Sequence, residues 1–321
     1  MSLPHGPSVP APPPDPVPHR APPLVLRGRP VGVESPAIMA IVNRTTDSFF
    51  AGARQADDGA ALAAVERAVV EGAEIVDIGG VRAGTGPEVT TAEEIRRIIP
   101  FVAKVRAEFP GLLISVDTWR SEVAREAAGV GADLLNDTWA GHDRALVEVA
   151  GELGVGVVCS HTGGAAPRTD PFRVSFPLAP GSPAGTDPRD GVVQDVVATL
   201  GRAAQRALDC GVAPESILVD PTHDFGKNTW HSLHLVRSTG RLVELGFPVL
   251  MALSRKDFVG ETLDLPAEER LEGTLAATAV AAWLGAAVFR AHDVRATRRV
   301  LDMTAAIRGD LAPARVLRGV E

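Results

Sequence analysis

The stretch LLISVDTWRSEVAREAAGVGADLLN, residues 112–136, decides the fold of this chain. It begins with an apolar run that closes on Asp117, continues through a helical segment that ends near Val130, and closes a second apolar run on Asn136. Such runs are typical of parallel strands that are buried on both faces, and a strand–helix–strand unit requires parallel pairing. The stretch therefore predicts one βαβ unit with a polar residue at the carboxyl end of each strand.

The same unit repeats along the chain. We predict eight strands, at residues 37–42, 74–80, 112–117, 133–136, 155–160, 216–220, 248–253 and 286–290. We predict a helix after each strand, at residues 57–73, 91–108, up to 130, 144–153, 191–209, 233–245, 268–284 and 294–307. This alternation predicts an α/β fold of the TIM (β/α)8 barrel class, whose active sites lie at the carboxyl ends of the strands.

The barrel is predicted as a single domain over residues 25–312. Residues 1–24 are expected to form a disordered tail, because ten prolines fall within the first 23 residues and proline neither continues a helix nor donates to a sheet. Residues 313–321 are expected to be a C-terminal tail. Two connections, at residues 43–56 and 163–190, are longer than ordinary βα loops. We interpret them as binding loops or lids, with a disordered insertion as the alternative for the second.

Composition excludes several classes of protein. A net charge of −8 and a pI of about 5.5 disfavour nucleic-acid binding, which needs clustered basic residues. No apolar run reaches the length of a membrane span. Cys159 and Cys210 are too few for a disulfide framework or a metal cluster, so a cytoplasmic protein is expected.

Polar residues at the strand ends indicate where the chemistry lies. Carboxylate and amide groups together both donate and accept hydrogen bonds, and could hold a flat heterocycle with an amino-pyrimidinone edge. For a single residue the alternatives are a helix cap or a structural histidine. A zinc cage is not indicated, whereas Mg²⁺ needs only one or two protein oxygens. The candidates are Asn43, Asp117, Asn136, His161, Asp220, Lys256, Arg290 and His292.

Seven ordered motifs resemble those of the dihydropteroate synthase family. They are NRTTDSF (43–49), DIGG (77–80), SVDT (115–118), NDTW (136–139), DP…FGK (220–227), SRK (254–256) and RAHDV (290–294). The resemblance implies a homodimeric barrel of folate biosynthesis. It implies an enzyme that joins a 6-hydroxymethyl-dihydropterin pyrophosphate to p-aminobenzoate and releases pyrophosphate with Mg²⁺.

The resemblance also implies a role for each matching residue. The pterin-binding residues would be Asp117, Asn136, Asp220, Phe225, Lys256 and Arg290, with Phe225 towards the p-aminobenzoate side. Asn43 would be the Mg²⁺ ligand. Arg290 and His292 would bind the leaving pyrophosphate. Asp117, Lys256, Arg290 and His292 would be the catalytic residues, and Asp117 would stabilise the cationic methylene group.

Several positions depart from the family pattern. Ala83, Gly84 and Thr85 replace the usual Thr, Arg and Pro of the second loop, and residues 222–224, Thr-His-Asp, replace Gly-x-Gly. Ser160 stands where a methionine packs on the pterin. Asp257 replaces a serine, and with Asp224 it is expected to bring negative charge near a carboxylate substrate.

These departures keep three functions open. The first is a working synthase with rearranged loops. The second is a divergent pterin-binding paralogue with weak or no synthase activity, which resembles the second paralogue of actinobacteria. The third is a methyltetrahydrofolate-type methyltransferase, which the SRK and FGK segments disfavour.

The resemblance places a dimer interface on the last two helices. LEGTLAATAVAAWLGAAV, residues 271–288, is apolar on more than one face, and small residues let helices approach closely. The alternative is a helix that is simply buried within the barrel.

Overall fold

The predicted barrel is present and closed. The computed structural model describes residues 17–44, 58–171 and 173–318. Its strands are β1 Leu24–Leu26, β2 Arg29–Val31, β3 Ala37–Asn43, β4 Ile75–Gly79, β5 Leu113–Asp117, β6 Leu134–Asn136, β7 Gly156–Ser160, β8 Ile217–Asp220, β9 Leu250–Met251 and β10 Val288–Ala291. Strands β3–β10 are parallel, in the order β8-β7-β6-β5-β4-β3-β10-β9. The barrel closes where Val219 of β8 bridges Val249 and donates a 2.9 Å hydrogen bond to the carbonyl of Pro248.

Helices surround this sheet, as the alternating pattern predicts. They are α1 Asp58–Val70, α2 Thr91–Glu108, α3 Ser121–Gly129, α4 Ala145–Leu153, α5 Asp190–Asp209, α6 Thr229–Arg237, α7 Thr239–Val243, α8 Asp257–Leu263, α9 Leu271–Trp283 and α10 Val294–Arg308. The strands are buried on both faces, and their aliphatic side chains join those of the helices in one core. Burial of this surface is the dominant favourable contribution to folding.

A hairpin that the sequence patterns did not predict packs at the amino-terminal side of the barrel. Strands β1 and β2 are antiparallel and are joined by Arg27 and Gly28, both at positive φ. Leu24 and Leu26 are buried, and a Cβ on Gly156 would lie 2.6 Å from Leu26 Cδ2. A Cβ there would also lie 2.8 Å from the backbone oxygen of Ser216, which cannot move aside as a side chain can, so glycine is required at the start of β7.

The predicted N-terminal tail is too long at its end. Ala21 is buried and its amide donates a 2.9 Å hydrogen bond to the carbonyl of Gly285, and Leu24 belongs to β1. Residues 21–24 therefore belong to the barrel. Residues 1–16, which hold most of the prolines, lie outside the described residues, as does the stretch 45–57 of the first long connection.

Helix α2 begins and ends where the sequence predicts, and Thr90 caps it by accepting a 3.2 Å hydrogen bond from the amide of Glu93. Two other parts of the chain differ from the helical prediction. The single helix predicted at 233–245 begins earlier, where Asn228 and His231 form a capping box, and it is interrupted at Ser238 to give α6 and α7. Helix α8 was not predicted.

Among the described residues, no helix is both long enough and apolar enough to cross a bilayer.

Candidate functional site

The polar strand ends meet at the carboxyl end of the barrel. In the parallel register, Asp117 of β5 pairs with Gly79 on one side and with Asn136 on the other. Asp220 of β8 pairs with Ser160, and Arg290 of β10 pairs with Met39 of β3. Because the strands are parallel and in register, all of these side chains belong to one rim of the barrel.

Asp77, which the sequence analysis did not select, organises one half of this rim. Its side chain is fully buried. Its carboxylate accepts hydrogen bonds from Ser115 Oγ at 2.6 Å, from Asn136 Nδ2 at 3.1 Å and from Arg290 Nε at 2.6 Å. Arg290 Nη2 donates a further 2.9 Å hydrogen bond to Asp117 Oδ2. Asp77 thus joins two of the predicted residues, Asn136 and Arg290, and Arg290 in turn binds the third, Asp117.

A signal for Asp77 exists in the sequence. It is the only charge within the apolar strand β4, IVDIG, and a buried charge needs a partner. The sequence does not show which residue is that partner, because Arg290 lies 213 positions further along the chain.

The Asp117 carboxylate differs in its pKa from an ordinary surface carboxylate. Burial raises the pKa of Asp117 to about 7; Arg290 acts in the opposite direction, and the negative charge of Asp77 adds to the increase. The neighbouring carboxylates raise the pKa of Arg290, although its burial lowers it. Near neutral pH, Asp117 can therefore both lose and regain a proton, while Arg290 stays charged.

Asp220 and Lys256 form the other half of the rim. Asp220 is buried, and its Oδ1 accepts a 2.7 Å hydrogen bond from the amide of Thr222. Burial raises the pKa of Asp220, whereas the charges of Lys256, Lys227 and Arg290 lower it. Since Asp220 interacts with both Lys256 and Arg290, the two halves form one site.

Aromatic rings line the Lys256 side of the site. Lys256 Nζ donates a 2.8 Å hydrogen bond to the carbonyl of His223 and lies 4.3 Å from the centre of the Phe225 ring. The Phe225 ring packs edge-to-face on Trp139, with centroids 5.2 Å apart. Trp139 is a second residue that the sequence analysis quoted in a motif without assigning it a role. A cation beside an aromatic ring suits a flat aromatic ligand.

His292 is placed beside Ser254. Its Nδ1 lies 3.0 Å from Ser254 Oγ, and its amide donates to the same oxygen at 3.2 Å. Burial, reinforced by the charge of Arg290, lowers the pKa of His292 to about 4. At neutral pH the imidazole is therefore uncharged and acts as a hydrogen-bonding group.

Asn43 and Asp117 face each other across Gly79. A Cβ added to Gly79 would lie 3.5 Å from Asn43 Oδ1 and 3.7 Å from Asp117 Oδ2. Two oxygens thus converge on a space that a side chain at position 79 would fill. No cluster of three or more His, Cys, Asp or Glu side chains suited to a metal occurs among the described residues. An Mg²⁺ would need only one or two such protein oxygens and would take the rest from water and phosphate, and Asn43 is the residue here that could supply one.

The residues that replace the glycines after Asp220 keep a glycine-like backbone. Thr222 and Asp224 adopt φ values of 52° and 70°, which non-glycine residues seldom adopt. Hydrogen-bond donors surround the carboxylate of Asp224 and balance its charge. Its Oδ2 accepts hydrogen bonds from the amides of Asp257 and Phe258 at 2.6 and 3.3 Å, and its Oδ1 accepts one from Ser232.

The expected negative charge near a carboxylate substrate is therefore offset at both positions. Asp224 binds the first amides of α8. The Asp257 side chain is 76% exposed and pairs with Arg270 at 2.7 Å. Neither carboxylate is the unbalanced charge that the sequence suggests.

The Ser160 side chain forms hydrogen bonds to the backbone and does not take the place of the methionine that packs on a pterin. Its hydroxyl donates to the carbonyl of Asp137 at 2.5 Å and accepts a 2.9 Å hydrogen bond from the amide of Ala140. The hydroxyl thereby fixes the loop after β6, which carries Trp139.

Fold and site together define a (β/α)8 barrel with a polar and aromatic binding site at the carboxyl end of its strands. The family described as "Pterin binding enzyme" matches residues 39–292. A Mycobacterium leprae protein named inactive dihydropteroate synthase 2 is 57% identical over 92% of this chain and 99% of its own length.

Solved structures agree with this match. A Coxiella burnetii dihydropteroate synthase in complex with pteroic acid superimposes with a TM-score of 0.76 at 33% identity, over 90% of this chain and 99% of that one. A Xanthomonas albilineans dihydropteroate synthase with 4-aminobenzoic acid gives 0.76 at 36% identity, over 90% and 98%. The chain belongs to the pterin-binding enzyme family and is a dihydropteroate synthase-like protein.

Proposed function

We propose that this protein binds a 6-hydroxymethyl-dihydropterin pyrophosphate at the mouth of the barrel. The observation that carries the proposal is the network in which Asp77 holds Asn136 and Arg290, and Arg290 holds Asp117. Such a preformed set of donors and acceptors lowers the cost of ordering the site on binding. Asp220 and Lys256 complete the recognition of the pterin edge.

The partner proposed for the pterin is p-aminobenzoate. Phe225 is half-buried at the Lys256 side of the site and is held edge-to-face by the buried Trp139, and a related synthase carries 4-aminobenzoic acid in its structure. The reaction breaks the methylene C–O bond, whose electron pair leaves with pyrophosphate. The arylamine nitrogen then forms the new C–N bond and releases its proton.

Arg290 and His292 are proposed to act on the leaving pyrophosphate. Arg290 supplies fixed positive charge, and His292, uncharged at neutral pH, supplies a hydrogen bond; both stabilise charge that develops as the C–O bond breaks. Asp117 would stabilise the cationic methylene when it is ionised. Mg²⁺, held by Asn43 with Asp117 nearby, would neutralise pyrophosphate charge when bound.

We further propose that synthase turnover is weak or absent, so that pterin binding is the principal activity. Residues 83–85 offer no guanidinium and no proline to order a second substrate. The relative that shares 57% identity is named inactive, whereas the structures named as synthases share 33–36%. Full synthase activity is the second candidate, favoured by the intact Arg290, His292 and Lys256.

Calorimetry and a pyrophosphate-release assay test these proposals. We expect the protein to bind a pterin analogue, and Asp220→Asn to weaken this binding by about tenfold or more, as expected for the loss of a charged acceptor. Asp302→Asn, which changes a partly exposed carboxylate of α10 that pairs with Arg298 away from the site, is the matched control. No pterin binding by the unaltered protein would refute the proposal. Pyrophosphate release at the ordinary ~1–10³ s⁻¹ of enzymes would establish the second candidate.

A homodimer through α9 and α10 is proposed as well. Val280, Trp283, Met303 and Ile307 of these helices are large apolar residues with 37–63% of their surface exposed. We expect a dimer in sedimentation, and Met303→Glu together with Ile307→Glu to give monomers, whereas Val70→Glu on α1 leaves the dimer intact. A monomer of the unaltered protein at micromolar concentration would contradict this.

The cytoplasm is proposed as the compartment of the protein. Cys159 and Cys210 are both unpaired, which suits a reducing environment.

A further inference from the structure

The connection between β7 and α5 reaches across the barrel mouth to the loop after β4. We call residues 163–189 the cross-loop and residues 80–90 the second loop. Arg168 of the cross-loop donates hydrogen bonds to two carbonyls of the second loop, from Nη1 to Pro87 at 2.8 Å and from Nε to Gly84 at 3.3 Å. Two strands, β5 and β6, separate β4 from β7 in the sheet, so these bonds join non-adjacent parts of the rim.

The other end of the cross-loop is held in place by close packing around Phe176. Phe176 packs between the rings of His161 and His231, at centroid distances of 5.8 and 5.1 Å. A Cβ on Gly163 would lie 2.9 Å from the Phe176 ring, and a Cβ on Gly191 would lie 2.0 Å from the Phe176 carbonyl oxygen. These distances leave room only for glycine, so the position of the Phe176 segment is closely determined.

The second loop needs an external support. Residues 83–86, Ala-Gly-Thr-Gly, include two glycines, which lose more conformational freedom on ordering than any other residue. Arg168 is also close to the second of them, because a Cβ on Gly86 would lie 3.0 Å from Nη2. Arg168 itself has a φ of 61°. Such a backbone conformation persists only where surrounding contacts hold it. The hydrogen bonds that the Arg168 side chain donates to described residues go to the second loop.

We propose that Arg168 is the positioning residue of the second loop. By fixing the carbonyls of Gly84 and Pro87, it holds this glycine-rich loop in one conformation at the rim, beside the pterin site. Residues 83–85 do not fix the conformation of the second loop by themselves. The contacts that fix it come from Arg168, in the cross-loop that follows β7. The inference rests on the proposed function only where it concerns ligands: the second loop borders the place of the second substrate, so Arg168 governs binding there and not binding of the pterin.

Limited trypsin digestion tests the positioning role without any ligand. Arg82 is half-buried in the second loop, so cleavage after it reports opening of that loop. We expect Arg168→Ala to speed this cleavage about tenfold, the effect of losing about one net hydrogen bond. Arg168→Lys, which keeps a charged donor group but not the planar fork that reaches two carbonyls, should restore part of the protection. Arg173→Ala is the matched control, because Arg173 is exposed in the same cross-loop and no hydrogen bond joins it to a described residue.

Calorimetry supplies the second measurement. We expect Arg168→Ala to weaken binding of p-aminobenzoate, measured with pyrophosphate and Mg²⁺, by about fivefold or more, and to leave pterin affinity unchanged. Equal cleavage after Arg82 in Arg168→Ala and in the unaltered protein would overturn the proposal, as would an equal loss of both ligands. A protein that binds no pterin but shows the cleavage difference would refute the proposed function and leave the positioning role in place.

Discussion

Asp77→Asn is the substitution that tests the site network most directly. The Asp77 carboxylate is fully buried and accepts hydrogen bonds from Ser115, Asn136 and Arg290. An asparagine of the same shape loses the charge and one acceptor oxygen. Its NH₂ group then faces donors, because Arg290 and the amide of Asn136 can only donate in these positions.

The expected loss of stability follows from these contacts. Removing one partner of a buried ion pair typically costs 3–5 kcal/mol. Arg290 keeps its 2.9 Å hydrogen bond to Asp117, so the lower end, about 3 kcal/mol, is expected. At ~2–4 °C per kcal/mol for domains of about this size, the melting temperature should fall by about 6–12 °C. Ser115→Ala removes one hydrogen bond from a neutral donor to the Asp77 carboxylate and should cost less, about 1.5–2 kcal/mol.

Urea and thermal unfolding measure this loss, with Asp302→Asn as the partly exposed control. A double-mutant cycle with Arg290→Gln isolates the pair, and we expect a coupling free energy of about 2 kcal/mol or more. An Asp77→Asn protein that unfolds within about 0.5 kcal/mol of the unaltered one, the usual range for surface substitutions, would refute this account of the network.

Two further predictions concern the rim. The pKa of Asp117 is about 7, so a larger fraction of this carboxyl group is ionised, and accepts hydrogen bonds better, as the pH rises; pterin affinity should therefore increase up to about tenfold between about pH 6 and about pH 8. In calorimetry, Asp117→Asn should remove this pH dependence, and a flat profile in the unaltered protein would contradict the prediction. Asp224→Ala should lower the free energy of unfolding in urea by about 1–2 kcal/mol, because two amides of α8 lose their acceptor. Asp257→Ser, at an exposed position, should change this free energy by less than about 0.5 kcal/mol, and equal effects of the two substitutions would show that Asp224 does not cap the helix.

Much of the fold was predictable because the barrel repeats a local pattern. Most strands are apolar runs and most helices are amphipathic, with the largely apolar α9 as an exception, and both periods are visible without knowledge of the partners. The boundaries of α2, Thr91–Glu108, agree with the prediction at both ends. Helix α8 was missed because its first amides are bound by Asp224, a residue 33 positions earlier that no local pattern connects to it.

The sequence by itself determined the barrel class and the strand-end position of Asp117, Asn136, Asp220 and Arg290, because a parallel strand order makes these ends converge. Only the tertiary structure decided which of them touch. Asp77 bonds Arg290 across 213 positions, and Arg168 bonds the second loop across more than 80. Hydrogen bonds depend on distances of a few tenths of an ångström, and such distances arise only when the whole barrel has closed.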